Sequence, residues 1–221
     1  MAEPIRGVLF DLDGTLLDTA QDLVRTLNRI RTTRALPEWP IDEMRNIANQ
    51  GSKVILKQAF GLEDDSSQIK TLREEFLADY EEHLADHTQF FPNVLALLDH
   101  LDEIKLPWGI VTNKLTQHTH PLLKALKIAD RAQSVVCGDT LALAKPDPAP
   151  ILYACQMLDL DPKDCLYLGD AEGDVIASKA AGALSLVALY GYIGRGDDPI
   201  RWQADGYIND PLELIPWLKG R

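Results

Sequence analysis

The stretch Val8-Leu9-Phe10-Asp11-Leu12-Asp13-Gly14-Thr15 decides how the rest of the chain is read. Its apolar half continues from Ile5 as a short β-run, and Gly14 breaks it. In extended backbone, residues two apart share a face, so Asp11 and Asp13 are expected to crowd two carboxylates together. Like charges that close repel, and a bound cation is the usual remedy. With a cation in place, one carboxylate can act as a nucleophile and the other can shuttle a proton. An acidic turn at a strand end is the plainer reading, because Asp and Gly are both common turn residues.

Working outward, the pattern changes twice. Asp18 or Thr19 is placed to cap a helix, with Gln21 and Asp22 as reciprocal partners. Leu23, Leu27 and Ile30 follow at helical spacing. Further helical pieces are expected around Glu43–Ile47, Val54–Phe60 and from Ile69 to about Ala85, with Glu63-Asp64-Asp65 as a solvated loop. No strand is expected between Asp18 and about Phe90. Beyond Phe91-Pro92, helix and strand alternate. Strands are expected at Trp108–Thr112, Ser134–Cys137, Cys165–Leu168 and Leu184–Leu189. Such βα repeats imply a parallel sheet with helices on both faces. The expected architecture is α/β: residues 1–17 and 88–221 form a Rossmann-like core, interrupted by an all-helical insert at 18–87.

Three other stretches end an apolar strand or turn in chemistry-bearing residues. Trp108-Gly109-Ile110-Val111-Thr112-Asn113-Lys114 places a hydroxyl and an amide where phosphate oxygens could be held, or where a turn is merely capped. Lys145-Pro146 offers a cation whose direction is fixed by the proline, against the ordinary alternative of a surface lysine. Leu166-Tyr167-Leu168-Gly169-Asp170-Ala171-Glu172-Gly173-Asp174 puts two acids four residues apart in a helical first turn. They suit Mg²⁺, which takes few protein oxygens and keeps waters, or they simply match the helix dipole.

Asp11-Leu12-Asp13-Gly14-Thr15-Leu16 resembles the signature of the haloacid dehalogenase-like phosphohydrolases. Thr112, Lys145-Pro146 and Gly169-Asp170-x-x-x-Asp174 are similar to that family's second, third and fourth motifs, in order. The resemblance implies a Rossmann-like core with a helical cap and a Mg²⁺-dependent phosphatase acting through an aspartyl phosphate. It implies Asp11 as nucleophile and Asp13 as acid/base that also lends its backbone carbonyl to the metal. Thr112 and Lys145 would stabilise the phosphoryl group, with Asn113 as a further phosphate contact. Asp170 would be a metal ligand, and Asp174 a ligand or a supporting acid. Within the family the chain is most similar to the phosphoglycolate phosphatase group. Its tail, from Tyr190-Gly191-Tyr192-Ile193 to Leu214, resembles N-acetylmuramic acid 6-phosphate phosphatases, so 2-phosphoglycolate and N-acetylmuramic acid 6-phosphate lead as expected substrates. Asn93 and Gly173 depart from the family pattern without touching the catalytic set. A sugar-phosphate mutase of the same fold and a non-catalytic binding protein are the alternatives.

Selectivity is expected from the insert. Its best loop is Asn49-Gln50-Gly51-Ser52-Lys53, with Gln50 and Ser52 as candidate substrate contacts, although an ordinary helix–helix turn fits as well. His118 and His120 cannot share a helix face and are expected in a solvated turn. Tyr190-Gly191-Tyr192 borders the pocket or packs an edge.

Composition narrows the classes. The 221 residues are 46% apolar, enough for a core, and carry a formal charge of −12. Such a charge disfavours nucleic acid or an anionic membrane and demands a locally positive phosphate site. Cys137, Cys155 and Cys165 show no metal-ligand spacing and, being odd in number, no disulfide framework. Met1-Ala2-Glu3-Pro4 has no signal-peptide character, so a cytoplasmic monomer or homodimer is expected.

Overall fold

In the computed structural model, residues 4–63 and 67–219 are described; Met1, Asp64 and Asp65, used above, lie outside them. Six parallel strands form the central sheet: β1 (Gly7–Phe10), β4 (Trp108–Val111), β5 (Ser134–Val136), β6 (Cys165–Gly169), β7 (Leu184–Ala188) and β8 (Gly206–Ile208). Their order is β5-β4-β1-β6-β7-β8, so β1 is central and its two neighbours come from far along the chain. Because side chains alternate along a strand, Val8 and Phe10 enter one core while Leu9 enters the other. Trp108 and Ile110 likewise oppose Val111, and Leu166 and Leu168 oppose Cys165 and Tyr167. Both faces are covered, which is why the strands read as unbroken apolar runs.

Helices α5 (Val94–Glu103), α6 (Thr116–Ala125), α7 (Ala149–Met157) and α8 (Glu172–Ala181) make the connections between strands. The left-handed turn into α5 is taken by Asn93, at φ 65°, and its amide donates to Asp210 at 2.6 Å. A second body of helices precedes them: α1 (Ala20–Thr32), α2 (Ile41–Arg45), α3 (Gly51–Phe60) and α4 (Ser67–His83). α4 presents Ile69, Leu72, Phe76 and Tyr80 as its buried stripe.

The chain leaves and re-enters the sheet layer through a strand pair absent from the sequence reading. β2 (Leu17–Asp18) pairs antiparallel with β3 (Gln89–Phe90). The expected reciprocal cap of α1 is also absent. Thr19 makes no side-chain cap, and its hydroxyl donates to Asp13 at 2.6 Å. Asp22 is buried and accepts from the His87 and Thr88 amides and the Thr88 hydroxyl, at 2.7–3.1 Å. That acid fastens the chain's return instead of capping its own helix. The three cysteines are free and buried, and no helix among the described residues is long and apolar enough to cross a membrane.

Candidate active site

Strands β1, β4 and β6 end on one side of the sheet, and the four motifs meet there. Asp11 follows β1, Thr112 follows β4, and Asp170 follows β6. Asp11, Asp170 and Asp174 are all buried and each offer a carboxylate oxygen within 4.8 Å of the others. Lys145 lies among them: its ammonium is 2.9 Å from Asp11 Oδ1, 2.7 Å from Asp174 Oδ1 and 2.8 Å from the Tyr167 hydroxyl. Asp174 also accepts from the Ala171 amide at 3.1 Å.

Three buried acids against one lysine leave excess negative charge. Burial, and then the neighbouring Asp174 and Asp13, push the Asp11 carboxyl up to about 7 against the pull of Lys145. Asp170 is raised well above the carboxylate range, by burial first and then by Asp11 and Asp174. Burial works against charge on Lys145, but the two carboxylates together outweigh it and hold the ammonium above the ordinary lysine value. This donor set of hard oxygens with unbalanced charge fits Mg²⁺.

The carboxylate of Asp13 is not one of the three in that cluster, although it is close enough to raise Asp11. Lys114 donates to it at 3.1 and 3.4 Å, and Thr19 supplies the third bond. Sequence reasoning missed Lys114, because its partner lies 101 residues away. Its ammonium is also 4.7 Å from the centre of the Tyr80 ring, so α4 closes over it.

The turn after Asp11 is held tightly against Asp170. Gly14 has φ 85°, and a Cβ there would stand 2.0 Å from Asp170 Oδ2, so glycine alone fits. The Thr15 hydroxyl donates to Asp170 Oδ1 at 3.2 Å; Asn49 and the Tyr192 amide donate to Oδ2 at 2.9 and 2.7 Å. Tyr192 further accepts from the Ala20 amide and donates to Asp18, while Tyr190 donates to the Thr15 carbonyl. The Tyr190–Tyr192 segment therefore buttresses both the cluster and the start of α1. Neither this role nor that of Asn49 is visible in local sequence.

A cavity of about 450 Å³ opens between the strand ends and the helices, lined among others by Asp11, Asp13, Thr112, Asn113, Lys145 and Asp174. The Thr112 hydroxyl accepts from the Lys114 amide at 3.1 Å. Asn113 spends its side chain on Lys145, accepting from the Lys145 amide at 3.0 Å and donating to its carbonyl at 2.9 Å. It braces the lysine loop rather than presenting that amide to a ligand. From the expected selectivity loop, Asn49, Gly51 and Ser52 reach the cavity, whereas Gln50 is exposed and outside its lining. The expected solvated turn around His118 is instead helix α6. There His118 is buried, packs edge-on against Tyr80 at 5.6 Å and lines the cavity. Burial and then Lys114 lower its pKa, which favours the neutral ring. His120 is exposed on the same helix.

The chain is 38% identical over 216 residues to N-acetylmuramic acid 6-phosphate phosphatase of Pseudomonas aeruginosa, covering 97% of this chain and 95% of that one. It is 40% identical over 209 residues to phosphoglycolate phosphatase of Xanthomonas campestris, covering 95% and 94%. A crystal structure of a predicted phosphoglycolate phosphatase from Haemophilus somnus superposes with a TM-score of 0.84 at 28% identity, covering 96% and 97%. Residues 8–188 match the sequence model of the haloacid dehalogenase-like hydrolases, a span that takes in all four motifs, and the chain belongs to that family.

Proposed function

We propose that the protein is a Mg²⁺-dependent phosphatase of small phosphate monoesters, working through an aspartyl phosphate on Asp11. The observation that carries this reading is the meeting of Asp11, Asp170, Asp174 and Lys145 from three separate parts of the chain beside one cavity. In the proposed reaction a carboxylate oxygen of Asp11 forms a bond to phosphorus as the ester P–O bond breaks. The Asp13 carboxyl gives its proton to the departing alkoxide. Asp13 then takes a proton from water, whose oxygen attacks the phosphorus, and Asp11 leaves as a carboxylate. Lys145 and Thr112 face the negative charge that builds on the phosphoryl oxygens, with amides of the strand-end turns as further donors. Asp11, Asp170 and the Asp13 carbonyl would hold Mg²⁺, which supplies charge neutralisation when bound. Asp174 acts as the support that aims Lys145, given its 2.7 Å ion pair.

Residues 18–87 act in this reading as a cap over a core of 1–17 and 88–221, shielding the cavity from water. The leading substrates are 2-phosphoglycolate and N-acetylmuramic acid 6-phosphate, the choice the named relatives suggest. Release of inorganic phosphate from these esters, followed with and without Mg²⁺, tests the proposal. Turnover that needs the metal and disappears in Asp11→Asn is the expected result. Release of phosphate by Asp11→Asn at the unaltered rate would remove the nucleophile assignment.

A further inference from the structure

Three fixed cations line the cavity: Lys145, Lys114 and Arg73. The first two are matched by resident acids, Lys145 by Asp11 and Asp174 and Lys114 by Asp13. Arg73, on α4, has no carboxylate partner among the described residues. Among the described residues its one hydrogen bond is Nε donating to the Ser52 hydroxyl of α3 at 3.1 Å. The helix neighbours three and four positions away (Ile69, Lys70, Phe76 and Leu77) include no acid to pair with it. Most other arginines here do have an acid, as in Arg29–Asp79, Arg34–Glu75, Arg45–Asp18 and Arg195–Glu43. In a chain of charge −12, an exposed guanidinium that lines a cavity without a carboxylate among the described residues is available to an anion from outside.

We propose that Arg73, steered by Ser52, binds a carboxylate on the organic part of the substrate, so that the preferred esters are phosphorylated carboxylic acids. The inference rests on the phosphatase reading, whose two leading substrates are both carboxylic acids, and adds the residues that recognise that group. Its geometry follows from the fork of the guanidinium. With Nε committed to Ser52, both terminal nitrogens remain to meet the two oxygens of a planar carboxylate. Charge favours a carboxylate over a second phosphate. Asp11, Asp13, Asp170 and Asp174 together outnumber the three fixed cations, so a monoanion is repelled less than a dianion. The lining also holds Leu23, Ile55, Phe76 and Leu77, an apolar set suited to the carbon frame between the two anionic ends.

The test compares esters that differ in the carboxylate. kcat and KM are measured for 2-phosphoglycolate against 2-hydroxyethyl phosphate, and for N-acetylmuramic acid 6-phosphate against N-acetylglucosamine 6-phosphate. p-Nitrophenyl phosphate reports turnover as such. In the unaltered enzyme the acid of at least one pair is expected to be preferred. In Arg73→Gln that preference falls by about tenfold or more, mostly through KM, as expected for loss of a charge-assisted bond. Arg73→Lys recovers part of it, and Ser52→Ala lowers it less. Arg73 is exposed, so these variants are expected to fold, and their thermal midpoints check that. An equal loss on both members of each pair, or no loss on either, overturns the proposal. So does a loss confined to a sugar bisphosphate measured beside these esters, which would assign Arg73 to a second phosphate. If the unaltered enzyme turns over p-nitrophenyl phosphate but shows no preference for either acid, this inference fails and the phosphatase reading stands. If no ester is hydrolysed at any Mg²⁺ concentration, both fail.

Discussion

The two walls of the cavity differ in how their charges are settled. At the strand ends every lining cation already has its acid, and the cluster is braced from several directions: Lys145 between Asp11 and Asp174, Lys114 and Thr19 on Asp13, Thr15 and Tyr192 on Asp170. On the helical wall the polar groups are fewer and looser. Among the described residues Arg73 has only a hydroxyl, and the buried Tyr80 hydroxyl has no hydrogen-bond partner. The contrast separates two jobs. Groups that must be in place before substrate arrives are fixed by one another, and groups that read the substrate are left to be completed by it.

If that division holds, substitutions at the strand ends act on kcat and those on the helices act on KM. The largest effect is expected for Asp11→Asn, which removes the nucleophile and lowers kcat by about a thousandfold or more. Retained circular dichroism would show that the fold survives. Lys145→Met comes next, because it withdraws the cation that offsets two buried carboxylates. A loss of about a hundredfold in kcat is expected, together with a lower thermal midpoint. An effect confined to KM would erase the distinction between the walls.

A third prediction uses pH. With the Asp11 carboxyl pushed up to about 7, protons compete with Mg²⁺ below that value. Affinity for Mg²⁺, followed by calorimetry, is expected to weaken as pH falls from about 8 to about 5.5, by roughly tenfold per unit below neutrality. For the metal-free fold the sign is opposite. A carboxyl raised above its unfolded value favours the folded state when neutral, so stability drops as pH rises from about 4 to about 7. A pH-independent affinity would mean that Asp11 is ionised throughout. The smallest effect is expected for Ser52→Ala, a few-fold rise in KM with kcat kept, since the exposed hydrogen bond lost is worth about 1 kcal/mol.

What could be read from sequence follows the same division. Asp11, Thr112, Lys145 and Asp170 each sit where an apolar run stops or a proline fixes the turn, so local pattern announces them. Their companions are known only through distance in the chain. Lys114 finds Asp13 from 101 residues away, and Asn49 finds Asp170 from 121. Asn113 was read as a phosphate contact from its place beside Thr112 at a strand end, but its side-chain amide is taken by the backbone of Lys145. Strand β8 was missed because three residues, Gly206–Ile208, are too few to show a period, and the β2/β3 pair is shorter still. His118 was read by its spacing to His120, whereas Tyr80, from another helix, determines its surroundings.

Asp170 carries one more implication. Its outer oxygen is gripped on one side by the amide of Asn49, between α2 and α3, and on the other by the peptide nitrogen of Tyr192 beyond β7. The same atom group thus serves as a rivet joining two layers of the molecule. A helix that slips from this rivet disturbs the acid and the joint between the layers in a single event.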